Sequence, residues 1–269
     1  MPGPSSRKLF LLFFFLVLSF AASAQRWKAY RYEVIYGLGA SNFLGDLGGA
    51  NQVGTNYFRD LELTMTRIAA SLGLRYKLNE YLAARASLSY GQVTGDDKLT
   101  KEFFRNNRNL SFKSNIFEFA TNFEFSFMKE QVGHRYRLRG IRGQRGFEMY
   151  TYFFIGLGAF YFNPMAFYKG DWQELQPCGC EGQGIIPTRK PYSRIQAAIP
   201  VGFGFKYTID RRWGLGIEYG IRKTFTDYID DVSMTYFDAG TLRDARGNLC
   251  ADLADRSEGP KPSAITGGG

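Results

Sequence analysis

Residues Ile116 to Phe127 read IFEFATNFEFSF, with Phe117, Phe119, Phe123, Phe125 and Phe127 on one parity and Glu118, Ala120, Asn122, Glu124 and Ser126 on the other. A helix turning every 3.6 residues would scatter these rings around its circumference, whereas a strand, whose side chains alternate with a period of two, gathers them on one face. Two settings want such a strand. One is a soluble sheet whose apolar face covers a protein core; the other is a barrel whose apolar face meets lipid and whose polar face lines a narrow lumen.

The same period recurs along the chain. EVIYGLGASNF from Glu33 sets Val34, Tyr36, Leu38 and Ala40 against Gly37, Gly39 and Ser41, and TRIAASLGLRYKL sets Ile68, Leu72, Leu74 and Tyr76 against Arg67, Ser71, Arg75 and Lys77. YLAARASLSYG, the opening stretch, TYFFIGLGAFYF (Thr151 to Phe162), RIQAAIPVGFGFKYTI and WGLGIEYGIRKTF complete seven strands. Pro200 falls on the inner parity of the sixth, where it must forfeit a ladder bond or mark a bulge. The inner parity collects Arg67, Arg75, Lys77, Arg85, Lys206 and Arg222 beside Glu33, Glu118, Glu124 and Glu218. A carrier with an apolar cavity would not stack charges there, but in a narrow lumen they can pair across the barrel. About eight strands leave an interior just wide enough for side chains to fill, which predicts a plugged lumen and no channel.

The termini give the compartment. Arg7 and Lys8, an apolar run from Leu9 to about Ala22 and the small-residue site Ala22-Ser23-Ala24 form a secretory signal peptide, cleaved before Gln25. The run is shorter than the roughly 20 residues of a spanning helix. Its removal takes the formal charge from +9 to +7, a basicity suited to acidic lipid head groups or a negative partner. Mean hydropathy is slightly below zero, as expected for alternating strands as much as for a soluble protein. Aromatics at 17% and 31 glycines fit strands with aromatic girdles and small inward residues.

Connections alternate in length. Residues 44 to 64, 92 to 112, 163 to 190 and everything after 224 are long, while those near 78 to 80 and 209 to 212 are tight, as in outer-membrane barrels with long extracellular loops and short periplasmic turns. The connection 129 to 149 is the exception, long and basic. Seven is an odd number for a closed bacterial barrel. Either the closing strand lies beyond the chain as given, or Val232 to Phe237 or part of 97 to 112 supplies it. The expected class is an all-β, transmembrane, up-and-down antiparallel barrel of about eight strands, seven of them clear and the C-terminal closing strand missing. Residues 1–24 are the signal peptide, 25–237 the barrel and 238–269 an extracellular loop or disordered tail.

The loop motifs carry a resemblance. NFLGDLGG (Gly45, Asp46, Leu47), GDD (Gly95, Asp96, Asp97), RNLSF (Arg108 to Phe112), GDWQELQP (Gly170 to Pro177), EGQG (Glu181, Gly182, Gln183, Gly184) and RKTFTDYIDDVS (Asp227, Tyr228, Asp230, Asp231) occur in successive loops. Taken in that order they resemble the PorG-like outer-membrane barrels of Bacteroidota. The resemblance implies a structural subunit of the type IX secretion system, which in gliding species also serves motility. It implies outer-membrane lipids and a periplasmic ring including a lipoprotein as partners, with no nucleic acid, no cofactor and no enzymatic activity. Cys178 and Cys180 are departures from the family pattern. A generic small barrel binding or transporting a small molecule is the alternative reading.

Several residues invite sharper functions. The three cysteines sit in an exported chain where disulfides are permitted. A bridge within Cys178-Gly179-Cys180 would be strained, which leaves Cys250 pairing with Cys178 or Cys180. His134, the one histidine, lies in the basic connection and supports no Ser-His chemistry. Arg135, Arg137, Arg139, Arg142 and Arg145 of that connection form either a docking surface for a periplasmic partner or a solvated extension of its flanking strands. Asp46, Asp96, Asp97, Asp227, Asp230 and Asp231 recur at outer strand ends, as turn formers in solvated loops or as ligands for a divalent cation.

Overall fold

The computed structural model describes residues 31–44, 47, 65–99, 103–128, 149–209, 212–233 and 235–257. Among these, antiparallel β-structure dominates: β1 (Tyr32–Ser41), β2 (Arg67–Lys77), β3 (Leu82–Asp96), β4 (Ser111–Ser126), β5 (Met149–Tyr168), β6 (Asp171–Glu174), β7 (Ile195–Thr208) and β8 (Gly214–Thr224). Three short helices accompany them: α1 (Phe103–Arg108), α2 (Ala239–Arg246) and α3 (Asn248–Ala254). No helix among the described residues is long and apolar enough to cross a membrane.

The sheet order is β1-β2-β3-β4-β5-β7-β8, with β6 folded back on β5 as a hairpin. Neighbours in sequence are neighbours in space, and the sheet curls into a half-barrel whose β1 and β8 edges are paired to no described strand. The curl is deep enough for Glu33 on β1 to reach Lys206 on β7 at 2.7 Å. Each of the seven strands expected from alternation is present, and the alternation sets its orientation. In the opening stretch Phe117, Phe119, Phe123, Phe125 and Phe127 are exposed while Glu118, Ala120, Asn122, Glu124 and Ser126 are buried. The contrast peaks at adjacent residues, Ser126 at 0% exposed and Phe127 at 69%. On the outer face a lateral row, Leu82, Phe125, Phe153, Phe203 and Tyr219, runs across five strands in register. Its members pack ring against ring, Phe153 on Phe203 at 6.4 Å and Phe203 on Tyr219 at 5.8 Å.

Pro200 forfeits its ladder bond without a bulge. The β5–β7 pairing lapses between Ile155↔Val201 and Gly158↔Ala198 and resumes in the same register.

Three expectations are corrected. Residues 92 to 112 and 163 to 190 are not wholly loop, since β3 runs on to Asp96, β4 starts at Ser111, and β5 continues to Tyr168 before turning into β6. Strict alternation fades there because the outer parity turns polar, as at Gln92, Thr94 and Asp96 of β3, while the pairing itself continues. Residues 239–254 are helical: α2 starts at Asp238, whose carboxylate accepts from the Thr241 amide at 2.7 Å, and the two helices bury Leu242 and Leu253. With eight and seven residues they are too short to show a helical period in the sequence. Neither Val232 to Phe237 nor 97 to 112 supplies an eighth spanning strand among the described residues.

All the long described connections lie at one end of the half-barrel, where β1 finishes, and together they build a cap. The apolar core is there, around Phe112, Phe160, Phe162, Leu175, Leu242 and Leu253.

Candidate functional site

Two polar assemblies occupy the interior. The first fills the barrel. Glu33 on β1 takes Arg75 at 3.1 Å and Lys77 at 2.5 Å besides Lys206. Arg75 and Arg85 are direct cross-strand neighbours on β2 and β3, a like-charge pairing that repels. Glu124 on β4 separates them, 2.6 Å from Arg75 Nε and 3.1 Å from Arg85 Nε. Neither Nε contact is a hydrogen bond, but Arg75 Nη2 donates to Glu124 Oε1 at 3.1 Å, so Glu124 is bonded to Arg75 and attracts Arg85 by charge. Arg85 continues to Glu218 on β8 at 2.5 Å, and Glu218 accepts from the Tyr152 hydroxyl of β5 at 2.9 Å. The chain of charges thereby touches all seven strands of the curled sheet. Nearer the cap, Arg222 reaches Glu118 at 3.4 Å.

Glycine makes room for this assembly. Arg75 lies over the Tyr152 ring and Arg85 over that of Phe154, 4.9 and 5.1 Å from their centroids. A Cβ at Gly204 would fall 2.4 Å from the Tyr152 ring, and one at Gly202 2.5 Å from Phe154. The glycines of GFGF are therefore empty places on β7 into which the two aromatic platforms fit.

The second assembly is the cap, where the described loop motifs converge. Asp97 is wholly buried and takes Arg108 at two nitrogens, 2.7 and 3.0 Å, plus the Leu110 amide at 3.2 Å. Asp230 accepts the amides of Leu47 and Val232 at 3.3 and 3.2 Å, joining the first loop to the last. Glu181 accepts the Ser233 amide at 3.0 Å. Gly182 and Gly184 of EGQG sit at φ +85° and +75°, where other residues are strained, and a Cβ on Gly182 would strike the Phe237 ring at 2.9 Å. Asp96 turns the chain by accepting from the Lys98 amide, and Asp227 is exposed. The sequence allows these aspartates to be solvated turn formers or ligands for a divalent cation. Asp97, Asp230 and Asp231 are buried instead of solvated: Asp97 holds Arg108 and Leu110 of its own loop, while Asp230 and Asp231 bond Leu47 and Tyr192 of other loops.

Cys250 pairs with Cys178, closing a separation of 72 residues and pinning α3 to the loop after β6. Cys180 is the free, buried thiol. Asp231 accepts the Tyr192 hydroxyl at 2.5 Å and is also bonded by the Cys180 thiol. Burial pushes the Asp231 carboxyl up to about 6, against the opposing pull of those two hydrogen bonds. Burial, with Asp231 beside it, also holds the Cys180 thiol well above its ordinary value, which makes it a poor nucleophile. Tyr192 stacks between Phe162 and Tyr228, 5.9 and 4.6 Å away and nearly parallel to both. Sequence reading missed Tyr192 and the pairing of Arg108 with Asp97. A tyrosine in the polar loop KPYSR carried no pattern that could have marked it.

No three carboxyl, histidine or cysteine groups among the described residues are placed to hold a metal ion. The signal segment, Gly45, Asp46, His134 and the basic connection with Arg135, Arg137, Arg139, Arg142 and Arg145 lie outside the described residues. A curled antiparallel half-barrel with an ionic interior and a disulfide-tied cap is the class that fold and site define. The chain belongs to the DUF6089 family, described as a domain of unknown function, whose profile matches residues 7–174. No curated protein and no solved structure matches it.

Proposed function

We propose that the chain is an outer-membrane β-barrel, a structural subunit of the type IX secretion and gliding machinery that docks to periplasmic partners. One observation carries the membrane part: the outer parity of the strands exposes residues such as Leu38, Leu72, Phe117, Phe123, Leu157 and Ile217, while the inner parity buries Arg75, Arg85, Glu118 and Glu124. In water this arrangement would leave a broad apolar surface uncovered. In lipid it is what the solvent asks for, with Glu33, Arg75, Arg85, Glu124, Lys206 and Glu218 paired inside. The dimensions agree. From Met149 to Tyr161 the outer residues of β5 rise about 40 Å along the strand, or about 30 Å along an axis tilted about 40° from it, against a hydrocarbon core of about 30 Å.

The role in secretion rests on the loop-motif resemblance to PorG-like barrels. The interior disfavours transport through the barrel, because the ion-pair assembly occupies it. The test has two arms. Mature protein should partition with envelope membranes and need detergent for extraction; recovery in the water-soluble fraction would end the reading. Reversing Arg137, Arg139 and Arg142 should reduce co-purification of periplasmic partners from crosslinked envelopes while the barrel stays inserted. Unchanged recovery would remove that connection as the docking surface.

A further inference from the structure

The cap holds a chamber of about 120 Å³, lined in part by apolar residues including Leu110, Leu175, Val232 and Leu253. The lining also includes three buried carboxyl residues, Glu181, Asp230 and Asp231, and two arginines, Arg108 and Arg256. The geometry points to a binding site for a small organic cation, a primary ammonium on a short apolar chain. This assignment does not depend on the proposed role in secretion.

The arginines are committed elsewhere. Arg108 is held by Asp97 through two contacts, and Arg256 donates to the Ser111 hydroxyl at 3.1 Å and to the Phe167 carbonyl. Asp231, by contrast, is met by neutral donors, the Tyr192 hydroxyl and the Cys180 thiol, although it is 3% exposed. A buried carboxylate with neutral partners gains most from an arriving positive charge, because in a low-dielectric pocket that attraction is weakly screened. Size fixes the rest of the ligand. An apolar cavity of about 150 Å³ accepts benzene, so this chamber suits an alkyl group of about four carbons. The ammonium would lie toward Asp231, with the alkyl chain against the apolar part of the lining.

Calorimetric titration of the full chain in detergent micelles, with empty micelles as reference, tests this with n-butylammonium chloride. The expected result is one saturable site per chain, with n-butanol and butyrate each binding at least tenfold more weakly. Asp231→Asn should weaken butylammonium at least tenfold. Ala254→Phe, which fills the chamber and leaves every carboxyl in place, should abolish the site, and it keeps the test decisive if Asp231→Asn disturbs the cap. Heats indistinguishable from those of empty micelles would overturn the assignment. So would butanol within tenfold of butylammonium, which would mark a merely apolar void, or a preference for butyrate, which would show that the arginines select.

Discussion

The barrel wall and the cap obey opposite rules. In the wall the apolar side chains face outward and the interior is a lattice of Glu33, Arg75, Arg85, Glu124 and Glu218; in the cap Phe112, Phe162, Leu242 and Leu253 are buried in the ordinary way. The change happens within single strands. Along β4 the inner parity passes from Glu124, Asn122 and Glu118 to Ser114 and Phe112. The backbone ladder is indifferent to this. What differs is the surroundings the proposed function assigns to the outer face, hydrocarbon around the wall and water around the cap, and each region places inside whatever its surroundings tolerate least.

The strongest way to break the comparison is to unbalance the ionic interior. Glu124→Gln removes the charge between two buried arginines, and the expected loss is about 3–5 kcal/mol, read from urea unfolding of protein inserted in lipid vesicles. An unchanged midpoint would mean that the arginines are neutralised some other way. The outer face offers the next test. Phe123→Arg places a guanidinium in the middle of the apolar belt and should cost about 2–4 kcal/mol in vesicles, the penalty for a charge at lipid depth. Were that face wetted, the change would be within about 0.5 kcal/mol.

The cap should respond separately. Replacing Cys178 and Cys250 by serine removes a crosslink worth about 2–4 kcal/mol. Proteolysis should then open the segment from 170 to 257 while the unfolding midpoint of the wall stays put. Collapse of the wall in that variant would show that the two regions are one cooperative unit. The smallest effect is pH-dependent. Folding raises the Asp231 carboxyl from 3.8 to about 6, so its contribution is complete below pH 3.8 and is lost as pH rises through about 6. Leaving this carboxylate ionised and buried at neutral pH costs on the order of 2–3 kcal/mol. Amide exchange of the cap should therefore quicken between pH 4 and 7 through this group, and Asp231→Asn should flatten that part of the profile. A profile identical in the variant would assign the dependence to another group.

How much of this was legible in the sequence differs by region for the same reason. Alternation is a local property, so Phe117 to Phe127 could be assigned to a strand, a face and a polarity without any knowledge of neighbours. Its outward aromatics and inward charges lie as read. The ends of the long strands were not legible, since beyond the belt the outer parity becomes polar, as at Gln92, Thr94 and Asp96 of β3, and the period disappears while hydrogen bonding continues. The cap was least legible. Asp97, Asp230 and Asp231 look like ordinary turn residues in a loop, and what distinguishes them is burial supplied by segments far away in the chain, as when Leu47 meets Asp230.

The sequence by itself determined the strands, their two faces and the inventory of charges that must balance inside, because side-chain period and the aversion of charge to apolar surroundings act residue by residue. Only the tertiary structure decided which partners balance: that Glu124 stands between Arg75 and Arg85, that Cys250 takes Cys178 and leaves Cys180 as a thiol, and that three loop aspartates are buried. Those outcomes depend on how far the sheet curls and where loops meet. Both are set by the packing of all the strands together, and no single segment records them.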